Sequence, residues 1–107
     1  MQDSFDFEEI SMKILTCAGE GKYKVRAAIE AYGNSNDALY ESLMGEAEEE
    51  FAKAHHAQIG YLQYLTRQRN PDTPVLLVHA MDILMGAINE RELAMALLEA
   101  FRARSGG

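Results

Sequence analysis

The chain reads as all-α, an antiparallel up-down-up bundle of three helices. Three observations carry this. Apolar residues recur at steps of three and four along most of the 107 residues, and no alternating strand pattern competes. Two clusters of turn residues, Gly33-Asn34-Ser35-Asn36 and Asn70-Pro71-Asp72-Thr73-Pro74, cut the chain into three parts. The connections are short, which forces neighbouring helices to run antiparallel. At this length residues 1–107 are expected to form one domain, with helices of roughly 30 residues, each about 45 Å long.

The first helix carries the stripe Phe7, Ile10, Ile14, Ala18, Gly21, Val25, Ile29, Tyr32. Ala18 and Gly21 are its small members and would let a neighbouring helix come close. Asp3, Asp6, Glu8 and Glu9 lie at its N-terminal end, where the helix dipole favours negative charge. At the first break Gly33 or Asn34 can take the left-handed closing conformation, and Ser35 or Asn36 can cap the next helix.

The second stripe runs Leu39, Leu43, Ala47, Phe51, Ala54, Gln58, Leu62, Leu65, with Arg67 and Arg69 at the C-terminal end. The run Glu48-Glu49-Glu50 reads as a solvated face in preference to a specific docking patch. Gln58 interrupts the stripe and needs a hydrogen-bond partner if buried. At the second break Thr73 is a natural N-cap, with Pro74 at the first helical position.

The third helix is expected from Pro74 to about Arg102, with residues 102–107 frayed. From Val75 to Ile88 it is apolar on every face except for His79 and Asp82. Three residues apart, those two share one side of the helix. A helix apolar all round must be buried all round, and two partner helices cannot cover this one. Self-association through helix 3 is therefore expected. From Asn89 the helix becomes amphipathic, with Glu90, Arg91, Glu92 and Glu99 exposed.

Composition narrows the function. A formal charge of -7 argues against nucleic acid, whose binding requires Lys and Arg to displace counterions, and against an anionic membrane surface. The uncharged runs around Asp82 are too short to cross a bilayer. No N-terminal stretch pairs basic residues with an apolar run, so no secretory signal is expected and the cytoplasm is. Cys17 stands alone, which leaves no intrachain disulfide and no thiolate zinc cluster; it reads as a small buried hydrophobe.

His79 is either a core histidine with satisfied ring nitrogens or a functional one, a nucleophile or a metal ligand. A neutral imidazole near pH 7 needs no further activation to attack. Asp82 has no Lys or Arg within a turn on its own helix. Either Lys22 or Arg26 of helix 1 pairs with it, or several copies gather on an oligomer axis and share protons or a cation. His55 and His56 are adjacent and point about 100° apart, so they do not form one metal site; one is expected near the Gln58 layer and the other in solvent. Met81 and Met85 read as packing.

These residues resemble a known family. Leu76-Leu77-Val78-His79-Ala80-Met81-Asp82-Ile83-Leu84-Met85 resembles the Leu-Leu-Val-His-Ala-Gln-Asp-His-Leu-Met motif of the lactose/cellobiose-type IIA proteins of the bacterial phosphoenolpyruvate-dependent sugar phosphotransferase system. Glu48 to Gln58 is similar to the family's acidic run leading into Ala-His-x-x-Gln, and Ala18-Gly19-Glu20 resembles its helix 1 Ala-Gly segment. The resemblance covers nearly the whole chain in order.

It implies a homotrimer of three-helix subunits in which His79 accepts a phosphoryl group from the phosphohistidine of HPr and passes it to a cysteine of a IIB protein. It implies that Asp82 from each subunit gathers on the threefold axis around one divalent cation, magnesium. His79 should then be partly exposed at the edge of the apolar zone. Two positions depart from the motif. The family's glutamine is Met81 here, which cannot donate a strong hydrogen bond to a phosphoryl oxygen, and the histidine after the aspartate is Ile83. A regulatory or scaffold module on the same fold, without efficient phosphotransfer, is the alternative. A purely structural or metal-binding helical oligomer is the third reading.

Overall fold

The computed structural model describes residues 6–68 and 73–105. Asp3, Arg69 and residues 70–72, 106 and 107, on which some of the expectations above fall, lie outside that range. Three helices follow in order, α1 (Phe7–Gly33), α2 (Asp37–Leu65) and α3 (Val75–Arg104), with no strand among the described residues. They lie side by side in a rod of 60 × 19 × 18 Å.

Contacts along the rod give the directions. Phe7, at the start of α1, stacks edge-on against Tyr64, near the end of α2, with ring centroids 5.8 Å apart. At the far end the Tyr32 hydroxyl donates to the Leu98 carbonyl at 3.0 Å. Thus α2 runs against α1 and α3 runs with it, as the short connections require. Helix α1 is the common partner, packing along both others, whereas α2 and α3 touch sparingly and leave a groove between them.

The reason α1 can sit between two helices is visible at Gly21. A Cβ there would lie within 2.8 Å of three Phe51 ring carbons, so the ring of α2 occupies the space of the missing side chain. Around it Ile14, Ala18, Val25, Ala47, Ala54, Leu77, Ala80 and Leu84 are buried. Cys17 is buried too, and burial, followed by the nearby Glu50 carboxylate, raises its thiol pKa. It is therefore protonated at neutral pH and packs as a small hydrophobe.

Several local expectations are revised. In α1 the stripe ends on Ala28 and Ala31, which are buried, while Ile29 is exposed. In α2 the buried set is Tyr40, Met44, Ala47, Phe51, Ala54, Ala57 and Tyr61, so Leu39 and Leu62 face outward. The physical reason is size at the rod's ends. Tyr40 reaches Tyr32 at 5.5 Å and Tyr61 reaches Phe7 at 6.0 Å, and these large rings set the rotation of the helix in place of the leucines beside them.

The first turn is closed by Ser35, with φ of 60°, and not by Gly33 or Asn34. Ser35 N–H donates to Tyr32 and Asn36 N–H to Ala31, the double closure of a left-handed helix stop. The Asn36 side chain then caps α2 by accepting from Leu39 N–H at 3.2 Å. Helix α2 stops at Leu65, earlier than Arg67 or Arg69, with Thr66 folding its hydroxyl back onto the Gln63 carbonyl. The second connection is correspondingly longer than expected.

Thr73 does not cap α3. Its hydroxyl is hydrogen-bonded to that of Tyr61, tying the start of α3 to the end of α2, and α3 begins without a side-chain cap. At its other end α3 does not fray at Arg102. The guanidinium of Arg102 lies over the Tyr32 ring at 5.5 Å and the Tyr40 ring at 5.9 Å, and this stacking holds the last turn to Arg104. Arg91 is drawn into the α2–α3 groove, where it donates to the Met44 carbonyl at 3.4 Å and pairs with Glu48 at 3.7 Å.

Candidate functional site

The side of α3 turned away from both partners is the unusual surface of this molecule. Buried Leu77, Ala80, Leu84, Ala87, Ala94 and Leu98 define its inner face. On the opposite face lie Val75, Val78, Asp82, Gly86, Asn89, Leu93, Leu97 and Ala100, every one exposed. Their steps are three, four, four, repeated; that is 11 residues per three turns, close to the natural helical pitch, so the stripe runs almost straight down the helix. Val75 is 84% and Leu93 61% exposed, and together with Val78 and Leu97 they make one contiguous apolar stripe, the kind of surface that marks an interaction site. The expected excess of apolar surface on helix 3 is present over the helix's full length, in its distal half as well as around His79.

Asp82 lies within this stripe. It makes no ion pair or hydrogen bond among the described residues. Of the two helix 1 cations that could have neutralised it, Arg26 reaches Glu90 instead, at 3.5 Å, and Lys22 makes no such pair. The carboxylate is therefore held in solvent by its own chain, flanked by apolar neighbours.

His79 is exposed at the edge of the stripe, and it too has no polar partner among the described residues. Leu76 and Ile83, 40% and 37% exposed, lie on the same flank of the helix. This matches the expected position at the border of the apolar zone, and within its own chain His79 is not part of the core. Met81 is 200° around the helix from His79 and half-buried against the core, so it packs inward and does not reach the imidazole of its own chain. Met85, by contrast, is 50% exposed and lies outside the buried core.

His55 and His56 are both exposed, so neither joins a Gln58 layer. The glutamates divide. Glu49 is solvated and Glu48, though exposed, pairs with Arg91, whereas Glu46 is held by Lys24 at 2.8 Å and Glu50 by Lys53 at 3.0 Å. Among the described residues no three His, Cys, Asp or Glu side chains come together as a metal site within one chain. Two adjoining hollows of about 240 Å³ lie in the α2–α3 groove, lined by Met44, Phe51, Ile88, Arg91 and Met95 among others, on the other flank of α3 from His79. Each is below the roughly 300 Å³ at which small-molecule sites begin. The chemistry available at His79 is that of an open surface nucleophile, which suits a partner protein better than an enclosed substrate. No helix among the described residues is long and apolar enough to cross a membrane.

One residue of this face escaped the sequence reading. Asn89 is seven positions beyond Asp82 on the same stripe, yet it reads in sequence as the start of the amphipathic half. The signal was the continuation of the three-four-four spacing past Asp82.

Residues 9–102 match the family described as the lactose/cellobiose-specific IIA subunit of the phosphotransferase system. The chain is 28% identical over 96 residues to the lichenan-specific phosphotransferase enzyme IIA component of Bacillus subtilis, covering 90% of this chain and 87% of that one. It is 30% identical to the galactose-specific IIA component of Lactococcus lactis subsp. cremoris, over 89% of this chain and 82% of the relative. The crystal structure of the cellobiose-specific enzyme IIA from Bacillus anthracis superposes with a TM-score of 0.85 at 26% identity, covering 96% of this chain and 94% of that one.

Proposed function

The chain belongs to the lactose/cellobiose-specific IIA family of the sugar phosphotransferase system, and on that premise we propose that it is a cytoplasmic phosphoryl carrier in sugar uptake, with His79 as the acceptor. The observation that carries the proposal is the exposed, unpartnered imidazole of His79 at the border of the apolar α3 face. A ring nitrogen of neutral His79 attacks the phosphorus of phospho-HPr. The new nitrogen–phosphorus bond forms as the one in HPr breaks, and the donor imidazole leaves with the electron pair. In the second step a IIB cysteine thiolate takes the phosphoryl group and His79 leaves. Transfer between two imidazoles is close to balanced and passes through a loose transition state, so placement and electrostatics dominate. A side chain open on the surface can present the same atom to two partners in turn.

The carrier assembles as a homotrimer through the outward face of α3. Gathering that face on a threefold axis covers the exposed Val75, Val78 and Leu93 and brings the three Asp82 carboxylates together. One chain offers a single carboxylate there; three chains offer three oxygen ligands, which suits a hard divalent cation such as magnesium with waters completing its shell. When bound, that cation supplies charge neutralisation for the carboxylates. Because Met81 is directed inward in its own chain, its replacement of glutamine removes no hydrogen bond to the His79 of the same subunit.

Intact mass after incubation with phosphoenolpyruvate, enzyme I and HPr tests the acceptor. One added phosphoryl group on the wild type and none on His79→Ala is expected. Absence of the adduct on a folded wild type would replace the carrier with the regulatory or scaffold reading, and a wild-type adduct that fails to pass to a IIB cysteine would point the same way.

A further inference from the structure

We propose that Asn89 sets the register and the number of copies at the α3–α3 contact, its carboxamide donating to the carboxamide oxygen of the next copy around the axis. This rests on the self-association reading above and extends it to a residue outside the His79–Asp82 motif. Asn89 and Asp82 are the two polar side chains on the outward stripe, seven residues and about 10.5 Å apart along the helix. The Asn89 side chain makes no hydrogen bond within its own chain among the described residues. Its neighbours on the stripe are Gly86 and Leu93, neither of which has a side-chain polar group to offer.

Once the stripe is covered, that amide loses water and must find another partner or carry a desolvation cost. A second copy in parallel register supplies one automatically. The carboxamide holds a donor and an acceptor in the same group, so identical residues around a ring satisfy one another head to tail. A carboxylate cannot do this, which distinguishes Asn89 from Asp82. A shifted or antiparallel arrangement would bury the amide against Leu93 or Val78. A single polar residue in an apolar helical seam fixes register and copy number at some cost in stability. Gly86, one turn before on the same exposed stripe, has no side chain to hold a second copy away from the Asn89 layer.

Native mass spectrometry and sedimentation equilibrium on the full chain test the proposal. Because Asn89 is exposed in the protomer, its variants are expected to keep the wild-type helical content and to fold. A single oligomer is expected for the wild type and for Asn89→Gln, which retains an amide. Asn89→Leu is expected to associate more tightly but as a mixture of oligomers, and Asn89→Asp to associate at least tenfold more weakly. If Asn89→Leu and Asn89→Asp both form the wild-type oligomer with unchanged affinity, the role of Asn89 is overturned while the self-association reading stands. A wild type that stays monomeric at micromolar concentration overturns both.

Discussion

Gly21 shows how one residue sets the spacing of two helices. It is a glycine inside a helix, which costs about 1 kcal/mol relative to alanine, and the Phe51 ring occupies the vacated space. Gly21→Ala gains helix propensity but forces a Cβ into a buried ring that is 5% exposed. The clash dominates, and a net destabilisation of about 1–3 kcal/mol is expected in a urea titration. An unchanged midpoint would mean that α1 and α2 can separate without penalty. The small residue was legible in the apolar stripe of helix 1. Its partner was not, because no periodicity within one helix says which side chain of another fills a gap.

Ser35 and the Lys24–Glu46 pair act at the level of the elements they join. Ser35 holds the left-handed seat of the α1–α2 turn, a conformation that costs a residue with a Cβ about 1 kcal/mol or more. Ser35→Gly should raise stability by roughly 1 kcal/mol, less the entropy of a freer unfolded chain, read as a higher melting temperature. The position of the turn was plain from Gly33-Asn34-Ser35-Asn36. Which residue takes positive φ depended on where the last helical hydrogen bonds closed, and composition does not contain that.

Lys24 hydrogen-bonds the Glu46 carboxylate, lowering its pKa below the usual carboxylate range, and that contact in turn raises the Lys24 pKa. A carboxylate with a depressed folded pKa contributes stability that is present above its unfolded value and lost as pH falls through the folded one. A lysine with a raised pKa contributes stability that is lost as pH rises through its own. The difference in melting temperature between wild type and Glu46→Gln should therefore be flat near neutrality and shrink in acid below the ordinary carboxylate range. A difference that persists at low pH would show that the variant acts through packing and not through charge.

Over the whole molecule, the arrangement of helices decides which surface remains. Helix α1 sits between the others, so α3 packs against it along one side and leaves its other side in solvent. In the proposed trimer that side becomes the axis, with Asp82 and Asn89 as its polar layers. Asp82→Asn should abolish stoichiometric binding of a divalent cation, measured by metal analysis of the purified protein. Undiminished metal content would place the cation elsewhere. The variant should still form the oligomer, since replacing the carboxylates also removes their mutual repulsion.

The fold class, the three helices, both breaks and the location of His79 and Asp82 on one helix follow from the spacing of apolar residues and the turn residues between them. These are local properties, and the backbone obeys them wherever the chain is placed. The family followed from the motif around His79, which lies within one continuous segment. Other features required the assembled bundle. Tyr40 and Tyr61 displaced Leu39 and Leu62 from the core because rings on α1 were within reach. Arg91 left solvent because α2 and α3 stand apart and leave a groove for it. Arg26 went to Glu90, leaving Asp82 unpaired. Asn89 emerged as part of the outward stripe only once the packed face of α3 was fixed. In each case the outcome depends on which side of a helix meets its neighbour, and that rotation is set by side chains far apart in the chain.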